Sequence, residues 1–163
     1  MQNIKEVMEE ANRCLNCKNP LCRKGCPIET RIPEFIQKIK EERFEEAYYI
    51  LQENNAMSSI CGMICPAEKQ CMANCIRGIK EIPVRIRELE DFVNTWAEEN
   101  KLTYKIKCVE VGVHDDSTKI AVIGSGPTGI SCAVELIKKG FDVTLFEREE
   151  EIRWYTKIWY TKF

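Results

Sequence analysis

Cysteine is the residue type whose spacing in this sequence carries the clearest chemistry. Eight of the ten cysteines lie in two blocks between residues 14 and 75, and each block contains a Cys-Pro pair. The first block holds Cys14, Cys17, Cys22 and Cys26, and the second holds Cys61, Cys65, Cys71 and Cys75. Thiols this closely spaced are typical of metal ligands, and soft sulfur ligands select zinc or iron–sulfur clusters.

The Cys-Pro pairs favour two interlocked 4Fe-4S clusters. In bacterial ferredoxins three closely spaced cysteines serve one cluster, and a fourth, followed by proline, serves the other. The predicted sets are Cys14, Cys17, Cys22 and Cys75 for the first cluster, and Cys26, Cys65 and Cys71 for the second. If Cys61 is not a ligand, the second cluster lacks one ligand.

Disulfides and zinc sites are the alternatives to iron–sulfur clusters for these cysteines. Disulfides need an oxidising compartment, and the N-terminal residues MQNIKE contain no apolar run that would form a signal peptide, so we expect a cytoplasmic protein. Two cysteine-rich tetrahedral zinc sites would also use eight thiolates, although zinc modules have no need of Cys-Pro steps. A zinc-stabilised binding module therefore stays open as the alternative.

A carboxylate is a candidate for the missing ligand. The spacing of apolar residues predicts an amphipathic helix from Pro83 to about Glu99, and Glu90 falls on its apolar side. A carboxylate buried there without a charge partner or a metal is costly.

The residues alone leave two assignments open for this carboxylate. Either Glu90 is the eighth ligand, or Cys61 completes eight thiolates and Glu90 pairs with Arg87 or Lys80. Earlier helices are predicted over Asn3–Arg13, from Pro33, and around Phe44–Leu51.

A second motif begins at Lys119. The buried strand KIAVI leads into a glycine-rich turn and a helix capped by Gly140, and a second strand, Phe141–Phe146, ends at Glu147. The turn consists of Gly124, Ser125, Gly126, Pro127, Thr128 and Gly129. A strand, a G-x-G-x-x-G turn, a helix and an acidic residue about twenty positions on predict a dinucleotide site, with the pyrophosphate at the helix N-terminus and Glu147 on a ribose hydroxyl.

The chain is therefore predicted to be α plus α/β: an all-helical domain holding two iron–sulfur clusters, then an incomplete Rossmann-like βαβ unit. The predicted boundaries are 1–100 for the cluster domain, 101–118 for a linker, and 119–152 for the βαβ unit. Cys108 and His114, both in the linker, are expected to carry no chemistry. A net charge of −2 argues against a nucleic-acid partner, and no apolar stretch is long enough to span a membrane.

Residues 153–163 do not resemble a further α/β unit, since the tail repeats Trp, Tyr, Thr and Lys. Tryptophan has a single codon, and a reading frame shifted by one base near Arg153 would give glycines in its place. We therefore hypothesise a reading-frame slip near Arg153 in a longer gene.

With these motifs the chain resembles the N-terminal part of the glutamate synthase small (beta) subunit family. That group includes the related regions of dihydropyrimidine dehydrogenase and of the large subunit of NADH-dependent ferredoxin:NADP oxidoreductase. The resemblance covers residues 1 to about 152 and rests on the two cysteine blocks and the GSGPTG turn.

The resemblance implies two 4Fe-4S clusters and an FAD on the glycine-rich turn. It also implies that Glu90 is the fourth ligand of the second cluster and that Cys61 is the spare cysteine. A full-length relative would take a hydride from NAD(P)H onto FAD and pass electrons through the clusters to a large catalytic subunit or a ferredoxin-like acceptor. This chain lacks the rest of the FAD domain and the NAD(P)H domain, so we do not expect it to turn over alone.

Overall fold

The computed structural model describes residues 3–104 and 119–149. The chain divides into two compact units, Met1–Leu102 and Thr103–Phe163. Cys108, His114 and the tail from residue 153 lie outside the described residues, as does most of the predicted linker. The predicted domain boundaries stay predictions, whereas the predicted order of a helical part followed by a βαβ unit is confirmed.

The first unit is helical. Its helices are α1 (Ile4–Asn12), α2 (Leu21–Lys24), α3 (Ile32–Lys40), α4 (Phe44–Asn54), α5 (Ser58–Ile64) and α6 (Ile86–Glu99), with 3₁₀ turns at Ala67–Lys69 and Ile76–Ile79. The Asn3 side chain caps α1 by accepting from the Lys5 amide at 3.1 Å. Pro33 lies in the first turn of α3, where its missing N–H leaves no hydrogen bond unmade.

The long helices of this unit share one hydrophobic core. Phe35, Ile36 and Ile39 of α3 are fully buried, together with Leu51 of α4 and Val93 of α6. Their spacing on α3 is the helical repeat that places them on one face. This core stands directly behind the cysteines, because Cys14, Cys22, Cys26 and Cys75 pack against it.

Helix α6 begins at Ile86, three residues later than the sequence predicted. The guanidinium of Arg13 donates to the carbonyl of Ile82 and, at 3.4 Å, to the carbonyl of Pro83. Those carbonyls would accept from amides of α6 if the helix began at Pro83. A contact across about 70 residues of sequence therefore helps to set where α6 begins.

Helices α4, α5 and α6 are joined by a buried polar group. The Asn94 Oδ1 accepts from the Ser58 hydroxyl at 2.8 Å and lies 3.4 Å from the Gln52 amide nitrogen. The Asn94 Nδ2 donates to the Glu90 carbonyl at 2.8 Å. Buried polar atoms that satisfy one another fix the relative register of three helices, and Glu90 sits on the part of α6 that they hold.

The second unit is a βαβ motif. Strands β1 (Lys119–Ile123) and β2 (Asp142–Phe146) pair in parallel, and α7 (Pro127–Lys138) connects them. Burial alternates along both strands, so α7 covers one face of the sheet. On the other face Ile123 is 87% exposed and Phe146 is 54% exposed.

Within residues 3–104 and 119–149, no helix combines the length and the apolar character needed to cross a bilayer.

Candidate functional site

Two pockets in the helical unit divide the eight clustered thiols between them. The first is bordered by Cys14, Cys17, Cys22 and Cys75. The second is bordered by Cys26, Cys61, Cys65, Cys71 and Glu90. The residues of each predicted ligand set thus meet at one pocket, and Cys61 joins the second.

The thiols line open pockets, and their sulfur atoms do not converge on a single point. Among the described residues, no three His, Cys, Asp or Glu side chains stand close enough to share one metal ion. A tetrahedral zinc site requires four donors about 2.0–2.3 Å from one ion. A cubane cluster of eight atoms holds its ligand sulfurs farther apart, so open pockets lined by thiols fit this larger group.

The chain at Cys14 is held by two cations from distant segments. The Lys40 Nζ, in the last turn of α3, donates to the Cys14 carbonyl at 2.6 Å. The Arg77 Nε, two residues after Cys75, donates to the Arg13 carbonyl at 2.8 Å. The Arg77 bond brings the two ends of the first predicted ligand set together, and the Lys40 bond ties Cys14 to α3. No sequence pattern links Lys40 to Cys14, so the sequence did not predict this contact.

A buried carboxylate supports the same region. Glu10 is 6% exposed, and its Oε1 accepts from the Arg13 guanidinium at 2.7 Å and from the Arg85 amide at 2.9 Å. Its Oε2 lies 3.2 Å from the Arg85 Nε. A buried charge with this many donors is compensated, and it ties α1 to the start of α6.

The two cysteine blocks touch at Gly25. A Cβ at this position would lie 2.3 Å from the Asn74 Nδ2 and 2.9 Å from the Gln70 carbonyl oxygen. Only glycine allows this approach. Because Gly25 adjoins Cys26 and Asn74 adjoins Cys75, the contact sets the spacing between the two pockets.

Glu90 is the anomaly of the second pocket. The side chain is buried, and its Oε1 has no hydrogen-bond partner among the described residues. Burial, with a smaller contribution from the Asp91 charge, raises the pKa of this carboxyl to about 8. Arg87, which the sequence offered as a partner, instead lies 3.5 Å from Glu68 Oε1. A buried oxygen without a partner costs about 1–3 kcal/mol, and a cationic group in the pocket would remove that cost.

Three of the thiols that border the pockets are affected by burial in the same way as Glu90. Burial raises the pKa of Cys71 to about 12, and it raises the pKa values of Cys22 and Cys61 to about 11. Such thiols keep their protons at neutral pH until a metal displaces them. Binding of a metal by these thiols would therefore release their protons.

In the second unit the glycine-rich turn has the geometry that the motif predicts. A Cβ at Gly129 would lie 1.9 Å from the Gly124 carbonyl oxygen, so α7 and the turn pack too closely for any other residue. At Gly126 a Cβ would meet nothing within 4 Å. The second glycine thus faces open space, where a pyrophosphate would approach the N-terminus of α7.

Glu147 lies beside this turn. Its Oε2 accepts from the Ser125 amide at 2.8 Å and from the Ser125 hydroxyl at 2.6 Å, and its Oε1 accepts from the Arg148 and Glu149 amides. These donors lower the pKa of the carboxyl to about 2, the Ser125 hydroxyl contributing most. Any ribose hydroxyl would have to replace one of them.

Comparison with known proteins gives the same two-part division. Residues 1–102 match the family described as dihydropyrimidine dehydrogenase domain II, 4Fe-4S cluster, and residues 119–159 match the family described as FAD dependent oxidoreductase.

Among curated proteins, the chain is similar to the NAD-dependent dihydropyrimidine dehydrogenase subunit PreT of Escherichia coli (strain K12), at 34% identity over 88% of this chain and 34% of the relative. It is 34% identical to the glutamate synthase [NADPH] small chain of Azospirillum brasilense, over 88% of this chain and 29% of the relative. The small chain from Mycobacterium tuberculosis (strain ATCC 25618 / H37Rv) is 32% identical, over 90% and 29%.

This chain thus spans about a third of the length of the curated relatives that it matches. The first of the two family matches covers more than half of the chain and contains all eight clustered cysteines together with Glu90. The chain belongs to the dihydropyrimidine dehydrogenase domain II, 4Fe-4S cluster family.

Proposed function

We propose that this chain is the electron-transfer portion of an NAD(P)H-dependent, FAD-containing iron–sulfur oxidoreductase that resembles the glutamate synthase small subunit. Its helical unit would hold two 4Fe-4S clusters. The proposed ligands are Cys14, Cys17, Cys22 and Cys75 for one, and Cys26, Cys65, Cys71 and Glu90 for the other.

One observation carries this proposal. Eight thiols and one carboxylate, scattered over 77 positions from Cys14 to Glu90, border two pockets, and the second contains a buried carboxylate oxygen that has no partner among the described residues. An ordinary apolar core has no use for such a set, because each group is costly to bury as an anion. Two 4Fe-4S clusters would bind the carboxylate and seven of the eight thiols, and would leave only Cys61 unused.

The chemistry supplied by such clusters is transfer of single electrons. The residues of this chain would hold and insulate them. Apolar side chains, among them Ile32 and Ile86, line both pockets and would limit the access of water to a bound cluster. One carboxylate among seven thiolates would make the two centres unlike in their ligands, which is a means of setting their potentials apart.

The βαβ unit would contribute the first part of an FAD site. Residues Gly124 to Gly129 would receive the pyrophosphate at the N-terminus of α7, and Glu147 would accept from a ribose hydroxyl in place of Ser125. The names of the relatives support NADH or NADPH as the electron source. A subunit or small chain works with a partner, so we propose a large catalytic subunit or a ferredoxin-like acceptor, and a cytoplasmic setting.

The test is a metal count on anaerobically purified full chain. Two 4Fe-4S clusters give about eight iron atoms and about eight acid-labile sulfides per chain. We expect Cys75→Ser and Cys71→Ser each to lower both counts by about half, because each removes one ligand of one cluster.

Cys132→Ser is the matched control, since this exposed cysteine on α7 lies in the other unit and should leave the counts unchanged. Colourless protein with stoichiometric zinc and no labile sulfide would overturn the proposal in favour of a zinc-stabilised module.

A further inference from the structure

Cys61 is the one thiol bordering the pockets that the proposed ligand sets do not use. It lies on α5, one helical turn before Cys65, and borders the second pocket together with Cys26, Cys71 and Glu90.

The placement of Cys61 follows from a close crossing of α5 and α6. A Cβ at Gly62 would lie 2.9 Å from the Asp91 Cα and backbone nitrogen. The two helices therefore touch backbone to backbone at this point. Cys61 immediately precedes Gly62 and Glu90 immediately precedes Asp91, so the crossing delivers both side chains to one pocket.

The two side chains differ in how their donor atoms are partnered. The Cys61 Sγ accepts from the Asn55 Nδ2 at 3.2 Å, and Asn55 is itself fixed because its Oδ1 accepts from the Met57 amide at 3.0 Å. The Glu90 Oε1, by contrast, is buried without a partner among the described residues. The Glu90 oxygen therefore has no hydrogen bond to give up on binding a metal, whereas the Cys61 sulfur would lose the one from Asn55.

We propose that Cys61 is an alternative ligand of the second centre, taking the position of Glu90 whenever the carboxylate does not bind. In this exchange an iron–oxygen bond to Glu90 breaks, an iron–sulfur bond to Cys61 forms, and the thiol proton passes to water. The centre then has two ligand sets, three thiolates with one carboxylate or four thiolates. This inference rests on the proposed function, because it requires Glu90 to be the usual fourth ligand.

The experiment compares Glu90→Ala, Cys61→Ser and the double variant as full chains, by iron count and by the EPR spectrum of the reduced protein. We expect Glu90→Ala to keep about eight iron atoms with an altered spectrum, because a fourth thiolate replaces the carboxylate. Cys61→Ser should match the unsubstituted chain in both. The double variant should lose about half of the iron, because the second centre then has three ligands.

Matched controls are Glu99→Ala, an exposed glutamate at the end of α6, and Cys132→Ser. Glu90→Leu repeats the test with a side chain that fills the pocket and cannot bind, and iron retained by the first centre reports that the helical unit has folded.

The other possible outcomes distinguish a failure of this inference from a failure of the proposed function. If Glu90→Ala alone loses as much iron as the double variant, Cys61 is not an alternative ligand, although Glu90 keeps its role. If Cys61→Ser alone loses half of the iron while Glu90→Ala changes nothing, Cys61 is the usual ligand and both assignments fail. A double variant with full iron also overturns both.

Discussion

The two units of this chain differ in how completely each one encloses its own site. Every residue that borders the two thiol pockets comes from residues 14–90, and the core behind them is closed, with Phe35 and Ile36 fully buried. The βαβ unit offers a glycine-rich turn and one carboxylate, on a sheet of two strands whose Ile123 is 87% exposed. The helical unit therefore supplies every residue that borders its two thiol pockets, whereas the described part of the βαβ unit forms only one wall of the proposed dinucleotide site.

Truncating one apolar side chain in each unit tests this difference most strongly. We expect Phe35→Ala to lower the free energy of unfolding by about 3–5 kcal/mol, because it leaves a cavity in a closed core. Ile123→Ala should change it by less than about 0.5 kcal/mol, since that side chain is already in solvent. Anaerobic chemical denaturation followed by far-UV circular dichroism measures both. Equal losses would mean that the face bearing Ile123 is covered in solution.

A methyl group added to one glycine of each unit gives a smaller contrast. Gly25→Ala should cost about 1–3 kcal/mol, because its Cβ overlaps the segment around Asn74, and iron should be lost from both centres. Gly126→Ala should leave stability and iron unchanged, since its Cβ meets open space. It should nevertheless weaken FAD binding, measured by quenching of flavin fluorescence, because the methyl stands where the pyrophosphate would lie. Tight FAD binding by Gly126→Ala would contradict the proposed site.

Substitution of Lys40 should affect the first proposed centre more than the second. Lys40→Met removes the bond to the Cys14 carbonyl, and we expect a loss of about 1 kcal/mol at this partly exposed position. Iron should leave the first centre faster than the second when a chelator is added. Lys38→Met on the same helix is the control, because Lys38 pairs with the exposed Glu41. Equal release rates in the two variants would show that Lys40 does not position Cys14.

The smallest effect expected is a pH dependence confined to the glycine-rich turn. The pKa of Glu147 is lowered from 4.5 to about 2, so its bonds to Ser125 are present above pH 4.5 and are lost as the pH falls toward 2. The NMR shift of the Ser125 amide should follow that change. Glu147→Gln should abolish it, and Glu135→Gln, on the exposed side of α7, should not. A transition retained in Glu147→Gln would mean that another group controls the turn.

The sequence predicted the elements whose pattern is local. The helical repeat was enough to place α1 and the buried side of α6, and it showed that Glu90 faces the core. The glycine-rich turn was likewise recognisable, because strand, turn and helix follow one another within a few residues.

The features that the sequence did not predict depend on contacts between distant segments. The start of α6 depends on Arg13, and the position of Cys14 depends on Lys40. Helix α5 has only seven residues, too few for a clear apolar repeat, and its packing on α6 through Gly62 is what brings Cys61 to the second pocket. Whether Cys61 or Glu90 completes the second set could therefore not be decided from spacing alone.

Ile32 and Ile86 border both pockets, and each is only 2% exposed. Two buried, apolar side chains thus lie between the two proposed centres. Charge crossing these apolar side chains is weakly screened, since the local dielectric constant is far below that of water. An electron placed on one side would make the other side harder to reduce, so we expect a redox titration to show two mutually dependent steps instead of two independent ones.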